Sequence, residues 1–293
     1  MKRIRINLLF ILFSVSIGLS AQNKRIYVFE DRYKQPTKTL IKNVETDLYH
    51  IKILGQYMID PKRNGLIDYN LVEKYLIKLY PDKDSSGILC INLEGKLFVD
   101  LRDHDLNSSK SKNAINQYIS LLKYVKTKRP NLQVGIYGLP FTVYYKSQEI
   151  RNHNRKLDLI LELSDVFFPS LYIFYPAIQK EKQANFDYFK KNLDVAFYYA
   201  EQSKKPVLPF IWYLVHPSNK RYKYEMIPKS EMKSYIHYIE EYTSIKNQKI
   251  SGIVWWDTPT PYNNRSIKNN LLPKKEKRNE WTMEEAFRYY LNN

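Results

Sequence analysis

The sequence predicts an α/β chain, a TIM-like β/α barrel of seven or eight parallel strands, and three observations carry that reading. Short apolar runs alternate with segments of helical periodicity along most of the chain. One of these runs, 87–92, is nearly continuous in Ile, Leu and Cys, the pattern of a strand buried on both faces. Polar and aromatic residues collect at the C-terminal ends of the runs, where barrels of this kind build their active sites.

In chain order, Lys24–Glu30 reads as a first strand and Tyr49–Tyr57 as a second. Leu71, Val72, Tyr75, Leu76 and Leu79 recur at helical spacing before Pro81 ends the helix. The central strand follows. Ile115, Tyr118, Ile119, Leu122 and Val125 mark an amphipathic helix over 113–128, and 133–139 the fourth strand, stopped by Pro140. A helix at 157–163 leads to a fifth strand over 165–174, a helix over 185–203 to a sixth over 206–215. The helix at 230–243 is expected to be N-capped by Ser230 or a neighbour. A last strand over 252–257 and a closing helix over 281–291 complete the pattern. No Gly/Ser linker or low-complexity tract divides these units, so residues 22–293 read as one domain.

Residues 1–21 have the form of an export signal. Lys2, Arg3 and Arg5 precede an apolar run from Ile6 to Leu19, and Ser20-Ala21 offers a small-residue cleavage site. The run is short for a membrane span and is interrupted by Asn7, Ser14, Ser16 and Gly18. The expectation is a cleaved signal and a periplasmic, cell-surface or secreted protein without a membrane span. An uncleaved anchor is the alternative. Without that segment 44 basic groups face 30 acidic ones, a surplus of 14 that favours polyanionic partners. The only dense basic run is 274–278, so nucleic acid is not the expected partner. The single cysteine, Cys90, falls inside the central strand and cannot form an intrachain disulfide.

Within the central segment Asn92 and Glu94 point one way and Leu93 the other. Two polar groups at the mouth of a buried strand are costly unless something uses them. At the other strand ends stand Tyr137, Ser170, Tyr172, Trp212, Tyr213, Trp255, Trp256 and Asp257. A carboxylate among tyrosines and tryptophans suits a pyranose, whose C–H faces pack on flat rings while hydroxyls supply specificity. Asp257 is the best second carboxylate, on the face of Trp255. Asp100, Asp103 and Asp105 fall in an expected loop, and neither a metal nor a cofactor is expected.

Four of these segments carry a resemblance to a known family. Gly87-Ile-Leu-Cys-Ile-Asn-Leu-Glu94, Gly135-Ile-Tyr-Gly-Leu-Pro140, Phe168-Pro-Ser-Leu-Tyr172 and Gly252-Ile-Val-Trp-Trp-Asp257 resemble, in order, strand-end motifs of the hyaluronidase family of glycoside hydrolases. The resemblance spans roughly residues 85–257. It implies a barrel of seven β/α units and a substrate-assisted retaining cleavage beside an N-acetylhexosamine. Glu94 would protonate the leaving oxygen, the substrate's own acetamido oxygen would attack, and residue 92 would orient the acetamido group. The family has Asp at that position, and a Glu-Trp-Arg after the acid where this chain has Gly95-Lys96-Leu97. An Asn-x-Glu pair is similar to that of family-85 endo-β-N-acetylglucosaminidases, so Asn92 is compatible with activity. Tyr137, Tyr172, Ser170, Trp212, Trp255 and Asp257, gathered at the strand ends, are expected to line the substrate cleft. The alternative is a glycan-binding barrel that has lost catalysis.

Overall fold

The computed structural model describes residues 25–29, 48–153, 155–175, 182–225, 227–256 and 288. Segment 1–21, Asp257 and, apart from Arg288, the expected closing helix lie outside them.

Six strands form a parallel, curled sheet: β1 (Ile26–Val28), β2 (Leu48–Gly55), β3 (Gly87–Asn92), β4 (Leu132–Ile136), β5 (Phe210–Ile211) and β6 (Ile253–Trp255). Their spatial order is β4-β3-β2-β1-β6-β5, and every pair is parallel. The helices between them bury one stripe each. α2 (Tyr69–Leu79) turns Val72, Leu76 and Leu79 inward, and Asp68 caps it by accepting from the N–H groups of Asn70 and Leu71 at 2.9 and 3.2 Å. α4 (Ser109–Lys128) is capped by Ser108 and buries Tyr118, Leu121, Leu122 and Val125. After a one-turn α5 (Ile150–His153), α6 (Asp158–Leu163), α7 (Lys182–Ser203) and α8 (Lys229–Glu241) cover the later strands, and a short α1 (Gln56–Ile59) continues directly from β2. Among the described residues no helix is long and apolar enough to cross a membrane.

The structure differs from the expectations at four places. Among the described residues the continuous sheet has six strands, and a complete barrel of seven or eight is not shown. The expected fifth strand is a segment joined to its neighbours only by isolated parallel bridges, Tyr137 to Phe168, Phe167 to Val207 and Ser170 to Phe210. Pro169 at its centre has no N–H to give a ladder, and Pro206 and Pro209 shorten β5 in the same way. Even so, residues 165–171 hydrogen-bond to both sides: Gly138 N–H donates to Phe168 O, and Phe210 N–H to Pro169 O, each at 2.9 Å. The cap of α8 is Pro228, with no side-chain hydrogen bond, not Ser230. Finally, Asp100 and Asp103 lie on a helix, α3 (Lys96–Asp103), which buries Leu97 and Leu101 one turn apart.

The close approach of the 165–171 segment to β4 requires a glycine. A Cβ on Gly135 would sit 2.1 Å from the carbonyl oxygen of Val166 and 2.8 Å from the Phe168 ring. Backbone cannot yield as a flexible side chain can, so Gly135→Ala should cost about 3 kcal/mol or more, read as a lowered denaturant midpoint.

Register fixes which side chains face the concave interior. Side chains of paired residues in neighbouring parallel strands share a face. Cys90 pairs with Gly135 and Ile53, Asn92 with Gly55, Tyr27 with Tyr49 and Val254, and Val254 with Phe210. Phe210 lies 4.8 Å from Tyr137, 5.7 Å from Phe168 and 5.8 Å from Phe29, ring centroid to centroid. Asn92, Tyr137, Phe168, Ser170 and Phe210 therefore share the interior face, and the C-terminal ends of the strands form its rim.

Candidate active site

Glu94 stands just past the end of β3, and the turn that carries it is pinned from two directions. The buried Tyr118 of α4 donates its hydroxyl to Leu93 O at 3.1 Å. On the other side, Gly95 N–H donates to Gln56 Oε1 at 3.0 Å, and Gln56 Nε2 donates to Asp60 Oδ2 at 2.7 Å. Asp60, only 1% exposed, also accepts from the N–H groups of Asn64 (3.1 Å) and Gly65 (2.9 Å). This buried carboxylate thereby shapes the 60–65 loop that holds Arg63 in reach of Glu94's charge.

Glu94 has an open edge to solvent, but protein crowds its other sides and that crowding dominates its acidity. Its carboxyl is held above the usual carboxylate range by desolvation, opposed by a hydrogen bond from the Asn92 side chain and by Arg63. A raised carboxyl keeps its proton to higher pH than a solvated glutamate does, the direction that suits a general acid.

Asn92 supplies the informative detail. Its carboxamide lowers the Glu94 pKa by donating to the ionised form, so the Asn92 NH2 is the end that faces the carboxyl. The planar amide then directs Oδ1 the other way. That oxygen is buried, and no described residue donates to it. A buried acceptor without a donor costs about 1–3 kcal/mol, so its retention calls for a use.

The tyrosines follow the rim. The Tyr137 hydroxyl lies 3.3 Å from Ser170 Oγ, and its ring centroid is 6.4 Å from that of Tyr172. Tyr172 continues to Trp212 at 5.5 Å and His216 at 5.6 Å. Burial pushes the Tyr137 and Tyr172 hydroxyls well above their ordinary range, with Glu94's negative charge adding to it, so both stay protonated. Asn92, Glu94, Tyr137, Ser170 and Tyr172 thus come together, with Trp212 one ring further along.

Trp255 does not join them. It pairs in register with Ile211, on the outer face, and its ring stacks on Tyr213 at 6.3 Å and 8°. The neighbouring Trp256 takes the inner face, 5.9 Å from Phe29 and 6.1 Å from Phe210. Two adjacent tryptophans give no sequence signal as to which points inward; the pairing of β6 with β5 decides it. Asp257 lies outside the described residues. The sequence reading does not single out Gln56, Asp60, Tyr144 or His216, and names Tyr118 only within the apolar stripe of its helix. All but Tyr118 of α4 follow the C-terminal ends of strands, a rule that could have found those four.

Asp103 faces Arg102 through two hydrogen bonds of 2.8 and 2.7 Å and Arg151 at 3.4 Å, which hold its carboxyl below the ordinary range. Asp100 pairs with Lys96. Among the described residues no three His, Cys, Asp or Glu side chains converge as a metal site.

The chain shares its fold with bee venom hyaluronidase. A monoclinic crystal structure of that enzyme matches over 80% of this chain and 91% of its own, with 15% identity and a TM-score of 0.56. The same enzyme in complex with a hyaluronic acid tetramer matches over 83% and 84%, with 18% identity and a TM-score of 0.55. An endo-β-N-acetylglucosaminidase from Cordyceps militaris aligns over 92% of the chain, but its TM-score of 0.37 at 9% identity carries no argument. No family model matches the chain, and no curated protein matches it in sequence.

Proposed function

We propose that this protein is an exported glycoside hydrolase that cleaves beside an N-acetylhexosamine by a substrate-assisted, retaining mechanism. Residues 1–21 serve as its signal, residues 22–293 as one β/α domain, and the 165–171 segment as the seventh stave of a barrel. The observation that carries the reading is the buried Asn92 Oδ1, without a donor among the described residues, beside a carboxyl held above its ordinary range.

Retaining and inverting glycosidases that supply their own nucleophile or base need a second carboxylate across the bond. A substrate that brings its own acetamido oxygen needs one acid and one acceptor for the acetamido N–H. Glu94 and Asn92 provide that pair. Glu94 protonates the leaving oxygen, the acetamido oxygen bonds to the anomeric carbon as the glycosidic bond breaks, and Asn92 accepts from the acetamido N–H. Glu94, now ionised, removes a proton from water as the water opens the cyclic intermediate. Tyr137 and Tyr172 line the subsite with Ser170 and Trp212, and the inner-face tryptophan is Trp256.

Substituting the two tryptophans separates these placements. Trp255→Ala should cost about 3–5 kcal/mol of stability by emptying a buried site. Trp256→Ala should weaken glycan binding about tenfold with a smaller loss of stability. Thermal melting and calorimetric titration of both variants check the pair.

The reading is tested by reducing-end release from a panel of hyaluronan, chondroitin, chitin and N-glycan substrates, with Glu94→Gln as control. Release from one of them, abolished in the control, supports it. Binding without turnover on the whole panel would instead favour a glycan-binding barrel.

A further inference from the structure

The turn after β2 carries an exposed ring that the chemistry above does not use. Tyr57 of α1 is 70% exposed, while Ile59 of the same turn is fully buried and anchors it. Single apolar residues on a surface are ordinary. This one is braced. Arg63 Nη1 donates to its hydroxyl at 3.3 Å, and the guanidinium lies 5.5 Å from the ring centroid. Arg63 takes that place with a left-handed backbone, φ 54°, which a residue with a Cβ adopts at a cost. The buried Asp60 maintains the conformation. Its carbonyl accepts from Arg63 N–H at 3.0 Å, and its carboxylate from the next two N–H groups. Strain retained to hold a solvent-facing ring still points to something that uses the ring.

The ring is fixed beside the turn that carries Glu94. Segment 56–65 lies against residues 95–97 at both of its ends. At the first, Gln56 Oε1 accepts from Gly95 N–H at 3.0 Å, so close that a Cβ on Gly95 would sit 2.8 Å from the Gln56 carboxamide. At the second, a Cβ on Gly65 would lie 3.4 Å from the side chains of Leu97 and Lys96. The sheet order decides the side. β3, which leads to Glu94, lies between β2 and β4. Tyr57 follows β2 and Tyr137 follows β4, so the two rings flank Glu94 on opposite sides. With the acetamido unit among Tyr137, Ser170 and Tyr172, Glu94 meets the oxygen of the bond to be cut. The part of the glycan beyond that oxygen then continues toward Tyr57.

We infer that Tyr57 is a stacking platform for a sugar on the leaving side of the cleaved bond, and that Arg63 is the positioning residue that braces it. This rests on the proposal that the cleft cleaves acetamido glycans. The C–H face of a pyranose packs on the exposed ring, and the remaining guanidinium N–H groups of Arg63 donate to its hydroxyls. Such a subsite rewards chains that extend past the cut, so the substrate is a polymer or long oligosaccharide rather than a terminal unit.

The test measures binding of two-unit and six-unit chitin and hyaluronan chains by calorimetry in the Glu94→Gln background. Tyr57→Ala should weaken six-unit binding about five- to tenfold at an unchanged melting temperature, and leave two-unit binding within twofold. Tyr57→Trp, which keeps a flat ring, should retain the six-unit affinity. Arg63→Gly, whose backbone suits the left-handed turn, should weaken six-unit binding severalfold by removing the brace. With Glu94 intact, Tyr57→Ala should also move the cut in a labelled six-unit chain toward its reducing end, since hold on the leaving side is lost. Six-unit binding by Tyr57→Ala within twofold of its parent, equal losses on both lengths, or an unmoved cut would overturn the inference and leave the glycosidase reading standing. A wild type that cleaves neither glycan overturns both.

Discussion

Glu94→Gln should lower kcat on an acetamido glycan by about two to four decades, the usual size of a general-acid contribution, with the melting temperature unchanged. The amide has nearly the same shape and still meets the Asn92 side chain, but it cannot give a proton to the leaving oxygen. The pH dependence has a definite sign. A general acid works while protonated, so kcat should be full below the Glu94 pKa in the complex and fall tenfold per pH unit above it. Crowding holds that pKa above the ordinary glutamate range, so activity should persist to higher pH than a solvated glutamate allows. Arg63 pulls the pKa down, and Arg63→Ala should move the falling limb to still higher pH. A pH–rate series on wild type and Arg63→Ala reads both; a limb that moves down on removing Arg63 contradicts the assignment.

The second large effect is at Asn92. As the acetamido oxygen bonds to the anomeric carbon, positive charge grows on the acetamido nitrogen. A hydrogen bond from its N–H to Asn92 Oδ1 strengthens at that moment and lowers the barrier rather than merely tightening binding. Asn92→Ala removes both that acceptor and the amide that bonds Glu94. We expect a loss of about two to three decades in kcat, the size seen when one oriented transition-state partner is removed. Asn92→Asp should keep or raise the rate, since a carboxylate stabilises the developing cation better than an amide. It also places a second negative charge beside Glu94, which raises the acid's pKa further and shifts the falling limb upward. Equal rates for wild type, Asn92→Ala and Asn92→Asp would remove Asn92 from the mechanism.

Much of this arrangement could be read along the chain, and the limits have physical causes. β3 and α2 were legible because a continuous apolar run and a 3.6-residue stripe are local signals. Helix α3 was not, because it is only eight residues long and buries a charged residue, Asp100, beside Leu97 and Leu101. Prolines at 169, 206 and 209 do not erase an apolar pattern, but they remove the ladder hydrogen bonds that would make it a strand. The Asn92–Glu94 pair followed from strand alternation alone. Which of Trp255 and Trp256 faces it depends on register across two strands far apart in sequence. The same holds for Gln56, Tyr118 and His216, which reach the site from separate elements and meet it only in the folded chain.

Participation of the substrate's own acetamido group is the centre of the mechanism, and one rate series addresses it directly. On a substrate the wild type cleaves, the N-acetyl group is replaced by N-fluoroacetyl, N-difluoroacetyl and N-trifluoroacetyl. Each fluorine withdraws electrons from the attacking oxygen while leaving the leaving group and its protonation by Glu94 unchanged. The account predicts that kcat falls steeply and steadily along the series, because the acyl oxygen is the nucleophile. Rates that stay level across the four substrates would contradict it, and would mean that the nucleophile comes from elsewhere.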